Sequence, residues 1–192
     1  MRKIILLCLI MISSLTYGQK LVITPNGLKN SIEIEKSYIV ININGLTSKQ
    51  LYDKSINYIN KNYKNPNEVI KGKIEGEYLK FDTYVIDIAN IKQGFSNMWW
   101  NCSYTTEIYF KDDKIKYEII SLEFPGNIRD HSVKNTYPLL LMGKGFTWYI
   151  FNMNGELKRD ELKIQIETYF NDKLDKFKEF LSDTTTIKNE NW

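Results

Sequence analysis

Few side chains in this 192-residue chain are of the types that commonly do nucleophilic, acid–base or metal chemistry. It has one histidine, His131, and two cysteines, Cys8 and Cys102. Zinc and haem sites draw on several such ligands, and a Cys–His nucleophile pair would have to join a strand residue to a loop residue. We therefore expect no metal and no cofactor, and we interpret His131 as a solvated loop residue.

A β-hairpin positions the remaining candidates. Residues Met98–Phe110 and Ile115–Phe124 alternate between apolar and polar side chains with the period of two that a strand requires. A two-residue loop at Asp112-Asp113 sets Phe110 opposite Ile115, and this register keeps the apolar side chains of both strands together. The sequence thus predicts a hairpin with one apolar face and one polar face.

The polar face of this hairpin holds the candidate binding residues. Trp99 and Trp100 are adjacent in a strand, so one points into the core and the other points outward. An outward Trp99 either covers the edge of the sheet or contacts a ligand or partner. We predict that an envelope protein or a small ligand binds this face, at Trp99, Thr105, Glu107, Tyr109, Lys116 and Glu118.

Glu107 and Glu118 are the facing carboxylates in this register. Like charges that face each other cost stability, so such a pair can mark an acid–base or cation site. The pair can equally be solvated, or bridged by Lys116 or by a lysine of a neighbouring strand. An envelope hydrolase that uses the two glutamates is therefore the alternative to a non-enzymatic binding module.

The first eighteen residues are typical of a secretory signal peptide. Arg2 and Lys3 precede the apolar run Ile4–Ile12, and small and polar residues follow as far as Gly18. The run is far shorter than the roughly 20 residues that span a bilayer. Cleavage before Gln19 would release an exported protein, periplasmic or extracellular, without a transmembrane segment.

The mature chain would be nearly neutral. The whole sequence has 26 basic and 23 acidic residues, and removing Arg2 and Lys3 leaves 24 against 23, a formal net charge near +1. Nucleic-acid-binding proteins rely on basic surfaces, so we expect no nucleic-acid partner. Only Cys102 survives processing, so no intrachain disulfide can form. We expect a buried thiol there, with a reactive or intermolecular one as the alternative.

Two helices are predicted. Thr47 begins the first as its N-cap, Gln50 closes a capping box, and Pro66 follows its end. Its apolar stripe is Tyr52, Ile56, Ile59 and Tyr63. A long helix from Glu156 has apolar residues at steps of three and four, namely Leu162, Ile166, Phe170, Leu174, Phe177 and Leu181. An assembly role for this second helix is a further hypothesis, and the polar tail 184–192 is expected to fray.

The other segments are predominantly strands. Ser31–Asn44 is predicted to be one strand, or two strands with a break near Lys36-Ser37. Further strands are predicted at Glu68–Ile74 and Glu77–Ile88, bent or bulged at Gly72 and Gly76. Residues 19–30 form a leader or a short edge element, and Ala89–Asn97 is a loop. The runs Leu139–Met142 and Phe146–Met153 are either a strand pair or a buried irregular lobe.

This order of elements predicts an α+β two-layer sandwich, in which helices cover one face of a curved antiparallel sheet and the other face is open. We expect a single domain over residues 19–183. The isoleucine-rich strand running into Gly45–Tyr52, the Glu68-Val69-Ile70 strand and the turn at Lys111–Lys114 resemble a family of small secreted bacterial domains of unknown function. Their fold is similar to that of the TATA-box-binding protein (TBP-like).

The resemblance covers residues 35–125, and the segment 125–153 departs from the family's pattern. It implies a fold and a compartment. It brings no catalytic residue to this chain and does not imply DNA binding.

Overall fold

The computed structural model describes residues 18–94, 96–127 and 137–183. Residues 1–17 of the predicted signal peptide, His131 and the tail 184–192 lie outside the described residues, so the interpretations of those segments stay predictions.

The centre of the fold is an antiparallel sheet. Its strands are β3 (Tyr38–Asn42), β4 (Ile70–Ile74), β5 (Tyr78–Gln93), β6 (Ser96–Lys111) and β7 (Lys114–Glu123), in the order β3-β7-β6-β5-β4. The short strand β8 (Gly126–Asn127) pairs with β6 at Trp99 and Trp100.

The predicted hairpin is confirmed in strands and register. β6 and β7 pair Phe110 with Ile115, and Glu107 with Glu118. Asp113 adopts a φ of 64° in the turn, a conformation that aspartate tolerates better than most residues. The apolar face of the hairpin is buried, with Trp100, Cys102 and Ile108 fully enclosed.

Both longer helices pack on that buried face, which we call the inner face. They are α1 (Ser48–Asn62) and α3 (Asp160–Ser182); a one-turn helix, α2 (Pro66–Val69), precedes β4. Edge-to-face or tilted ring contacts join helix to sheet, among them Tyr52 with Phe110, Phe170 with Tyr104, and Phe177 with Tyr117. The two-layer α+β arrangement is therefore confirmed.

The helix starts and stripes follow the sequence closely. Thr47 and Gln50 form the predicted capping box at α1, and all six predicted stripe residues of α3 are buried. The buried face of α1 is rotated slightly from the predicted stripe, since Tyr58 is buried while Ile56 and Tyr63 are only partly so. The helix α3 begins at Asp160, four residues later than the predicted start at Glu156.

Lys54 joins the two long helices. Its side chain is 5% exposed, and its ammonium donates hydrogen bonds to the backbone oxygens of Leu181 at 2.8 Å and Asp183 at 2.5 Å. These carbonyls belong to the last turn of α3, where helix geometry leaves acceptors unpaired. A lysine of α1 thus caps the C-terminal end of α3.

Two predictions about strand lengths are wrong. The predicted loop Ala89–Asn97 is instead the continuation of β5 and β6, which pair Ala89 with Trp100 beyond a bulge between Val85 and Ala89. The bulge contains Asp87 at a φ of 59°, and the Asp87 amide donates to the Asn101 side chain at 3.1 Å. The extra bulge residues break the period of two, which concealed the continuation from pattern analysis.

The predicted strand Ser31–Asn44 is shorter in the structure. Only Tyr38–Asn42 is a strand, because the Asn30 side chain accepts hydrogen bonds from the amides of Ile32 and Glu33 and holds the preceding segment in turns. Such local asparagine bonds compete with strand pairing.

The N-terminal segment forms a hairpin of β1 (Leu21–Thr24) and β2 (Gly27–Asn30), which packs on α3. The Asn171 side chain accepts from the Leu21 amide and donates to the Leu21 oxygen, both at 2.9 Å. The Glu167 side chain accepts from the Ile23 amide at 2.7 Å. Side chains of α3 therefore supply hydrogen-bond partners to the backbone amides and one carbonyl along the free edge of β1.

The runs Leu139–Met142 and Phe146–Met153 form a strand pair rather than an irregular lobe. β9 (Leu139–Gly143) and β10 (Trp148–Asn152) pair in parallel. Trp148 of β10 lies against Trp100, with ring centroids 5.3 Å apart, and the Trp100 indole donates to the Tyr137 oxygen at 3.0 Å. This pair extends the core at the end of the main sheet far from the β6–β7 turn.

Candidate functional site

The side chains of the main sheet that point away from α1 and α3 define its outer face. They alternate with the buried residues of the inner face. The outer face includes Tyr38 on β3, Lys116, Glu118 and Ile120 on β7, Trp99, Thr105, Glu107 and Tyr109 on β6, Tyr78, Lys80, Asp82, Tyr84 and Ile86 on β5, and Ile74 on β4.

Four of the six predicted site residues meet near the β6–β7 turn. Glu107 lies opposite Glu118, and Tyr109 lies opposite Lys116. The Lys116 ammonium is 4.7 Å from the centre of the Tyr109 ring and 4.9 Å from that of Tyr38. A cation held between two aromatic rings is a favourable arrangement, and here it ties together β3, β7 and β6.

Glu107 is held by three neighbours. The Tyr78 and Tyr109 hydroxyls donate to its carboxylate at 2.6 and 3.2 Å, and the Lys80 ammonium lies 3.8 Å away. Burial, together with the hydrogen bond to Glu107, raises the pKa of the Tyr78 hydroxyl well above its ordinary value. Tyr78 is therefore a hydrogen-bond donor at neutral pH.

Glu118 has its own set of partners. The Ser37 hydroxyl donates to it, and the Lys116 ammonium lies 2.8 Å from its carboxylate. Burial alone would raise the pKa of Glu118, but the bonds from Lys116 and Ser37 outweigh it, and the pKa lies below the ordinary value. Each facing glutamate thus has a lysine partner, as one of the sequence interpretations proposed, and Glu118 is held as an anion.

Glu107 and Glu118 differ in their access to a cavity beside β7. Glu118 borders a cavity of about 370 Å³ that also lies against the β1–β2 turn and Leu141. Glu107 is not among the residues that line this cavity. A hydrolytic pair has to hold its substrate between the two carboxyl groups, and this cavity is lined by Glu118 without Glu107.

The other two predicted residues lie elsewhere on the outer face. The Thr105 hydroxyl donates to Asp82 at 2.6 Å, one step along the sheet from the glutamates. Trp99 is half-buried and pairs with Asn90 and Asn127. It is eight residues from Glu107, which is about 27 Å along a strand, so Trp99 is not part of the same cluster.

Sequence analysis missed four members of the cluster, namely Ser37, Tyr38, Tyr78 and Lys80. Tyr38 lies on β3, Ser37 directly precedes it, and Tyr78 and Lys80 lie on β5; these strands were predicted without a register. The register of β5 against β6 pairs Tyr78 with Tyr109 and Lys80 with Glu107. Counting residues back from the β5–β6 turn does not give this register, because the bulge between Val85 and Ala89 shifts it.

Large apolar side chains are exposed on the same face. Tyr84 and Ile86 are 61% and 66% exposed, Ile120 is 45% exposed, and Ile74 is 55% exposed. Tyr109 adds an exposed ring beside the charged cluster. Scattered apolar side chains are normal on protein surfaces, but several together on one sheet face indicate an interaction surface.

Cys102 does not contribute to this surface. It lies fully buried on the inner face, and burial raises the pKa of its thiol to about 12, so it is protonated and inert at neutral pH. The expected buried thiol is confirmed. Within the described ranges, no group of three or more His, Cys, Asp or Glu residues could hold a metal ion.

No helix among the described residues is both long and apolar enough to cross a membrane. No protein-family model matches the chain, and no curated protein does either.

Two solved structures share the fold. One is a DUF4468 family protein from Bacteroides ovatus ATCC 8483, with a TM-score of 0.50 and 14% identity over 77% of this chain and 85% of that chain. The other is a TBP-like protein from Parabacteroides distasonis ATCC 8503, with a TM-score of 0.53 and 10% identity over 76% of this chain and 91% of that chain. The predicted resemblance to a domain of unknown function with a TBP-like fold is thereby confirmed at the level of the fold.

Proposed function

We propose that this protein is an exported, non-enzymatic interaction module of the cell envelope, and that the outer face of its main sheet contacts the partner. The observation that carries the proposal is the group of exposed side chains Tyr84, Ile86, Tyr109 and Ile120 on a face that neither long helix covers. Protein interfaces are enriched in aromatic side chains, which anchor binding when they are buried by the partner.

The charged cluster on this face supports binding rather than catalysis. Glu107 and Glu118 each have a lysine partner and hydroxyl donors, so both carboxylates are already engaged by the chain's own side chains. Side chains that already hold one another also lose little conformational freedom when a partner binds. The cluster therefore acts as a pre-organised platform beside the exposed apolar residues.

The assembly hypothesis for the C-terminal helix has less support. The six apolar residues that made α3 a candidate for self-association are all buried against the chain's own sheet and α1. Ile164 is the large apolar side chain that α3 leaves exposed, at 52%. A single exposed isoleucine is a small surface compared with the outer face.

Export is supported by the signal-peptide pattern of residues 1–18, and the mature chain would be nearly neutral. The same charge and the two lysine–glutamate pairs of the outer face give phosphate backbones little to bind. The proposed partner is accordingly a protein and not a nucleic acid.

Site-specific photo-crosslinking in living cells tests the proposal. A photoreactive phenylalanine analogue replaces Tyr84 in the full-length chain, and in a matched control it replaces Ile164 on α3. We expect protein adducts from position 84 that are absent from position 164, because only the outer face meets the partner. Equal adduct yields at the two positions, or none at position 84, would contradict the proposal.

A further inference from the structure

We propose that the partner at the outer face is a second copy of this chain, and that two outer faces pack against each other around a two-fold axis. This inference rests on the proposed function and names its partner. A two-fold contact uses the same surface on both subunits, so the surface has to be complementary to itself.

The exposed side chains favour a protein surface as the occupant. Ile74, Ile86 and Ile120 are aliphatic, and each is close to half exposed or more. Branched aliphatic side chains are stabilised by close packing against other apolar groups, as a protein surface provides. A flat polar ligand would instead bind mainly to aromatic rings. Two sheets that pack face to face bury such residues between them.

The charges of the outer face favour a second copy over a partner of one dominant charge. Lys80 lies near Glu107, and Lys116 lies near Glu118, so positive and negative groups alternate across the sheet. A surface with two lysines and two glutamates can meet its own copy with opposite charges facing. The mature chain, at a formal net charge near +1, adds almost no long-range repulsion between copies.

The size of the face matches a stable dimer. Ten residues of β6 between Trp99 and Tyr109 extend about 34 Å, and five strands extend about 19 Å across. These dimensions give roughly 600 Å² per subunit, or about 1,200 Å² in total. That area reaches the lower end of the range for specific protein–protein interfaces.

Sedimentation equilibrium of the purified mature chain provides the test, with the variants Ile86→Glu on the outer face and Ile164→Glu on α3. Both replaced side chains are more than half exposed, so both variants should fold, and circular dichroism checks this. We expect twice the monomer mass for the wild type and for Ile164→Glu. Ile86→Glu should raise the dimer dissociation constant at least about 100-fold, because it buries an unpaired charge.

A wild-type chain that stays monomeric at about 100 µM, or a dimer that Ile164→Glu disrupts and Ile86→Glu does not, would overturn the inference. The crosslinking experiment then separates the two proposals. Adducts from position 84 to a different protein would leave the interaction module standing without the dimer. Absence of both adducts and dimer would remove both.

Discussion

Replacing Lys54 with methionine should destabilise the fold while keeping most of its packing. The methionine side chain has a similar length and shape, but it cannot donate hydrogen bonds. The substitution therefore removes the two bonds from Lys54 to the backbone oxygens of Leu181 and Asp183. The Leu181 oxygen is then left in a buried environment without a donor.

The expected cost follows from these contacts. Leaving a buried acceptor unpaired costs about 1–3 kcal/mol, and losing a cation at a helix C-terminus costs about 0.3–1 kcal/mol more. Burial lowers the pKa of Lys54 below its ordinary value, so burying the charged ammonium itself costs some stability. That cost offsets part of what the two hydrogen bonds contribute. We therefore expect a net loss of about 2 kcal/mol, or a fall in Tm of about 4–8 °C for a chain of this size.

Urea unfolding and calorimetry at pH 7 measure the effect, with Lys61→Met as the matched control. Lys61 lies on the same helix and is exposed, with its ammonium 5.4 Å from the centre of the Phe180 ring, so we expect a change within about 0.5 kcal/mol. Equal effects of the two substitutions would refute the reasoning. A stabilising Lys54→Met would show that the burial cost of the lysine exceeds the value of its bonds, as happens at some buried charges.

Three further outcomes are expected. Because the pKa of Glu118 is lowered in the folded state, its contribution to stability is present above pH 4.5 and is lost as the pH falls through the folded pKa. Glu118→Gln should therefore cost less than about 1 kcal/mol at pH 7, and the cost should shrink as the pH falls; a pH-independent difference in urea unfolding would contradict this. Asn171→Leu should speed hydrogen exchange of the Leu21 amide at least about tenfold, since it removes a reciprocal pair of bonds; unchanged protection would show that the pair adds nothing. Gly126→Ala should lower the free energy of unfolding by about 1–3 kcal/mol, because the new Cβ would lie 2.5 Å from the Tyr137 oxygen, and a thermal scan with an unchanged Tm would disprove this clash.

The parts of the fold predictable from sequence are those specified by local pattern. The capping box at Thr47, the stripe from Leu162 to Leu181 and the β6–β7 register each depend on residues close together in the chain. Apolar periodicity and turn length constrain one another there. The predicted cap, buried stripe and strand register of these segments therefore agree with the structure.

The parts that escaped prediction depend on distant or irregular contacts. The continuation of β5 past Val85 is interrupted by a bulge, and the turns after Asn30 are set by one side chain. The β1–β2 hairpin is short, and its edge is completed by Asn171 and Glu167, which lie about 150 residues later. No local window of sequence contains such information.

The candidate site shows the same division. The pairs Glu107–Glu118 and Tyr109–Lys116 could be predicted because they lie within one hairpin. Tyr38 and Tyr78 enter through neighbouring strands, so their place in the cluster needs the order and register of the whole sheet. Trp99 lies on the same strand as Glu107, but strand length separates it from the glutamates.

The bonds from α3 to β1 also constrain when the chain can finish folding. Leu21 is among the first residues after the predicted cleavage site, and Asn171 is near the end of the chain, so the first strand acquires its last partners only after the final helix has been synthesised. Closing so long a loop is slow compared with forming a local hairpin. We expect nascent chains arrested before Asp160 to leave the Leu21 and Ile23 amides open to exchange, so this part of the fold stays incomplete until α3 has been synthesised.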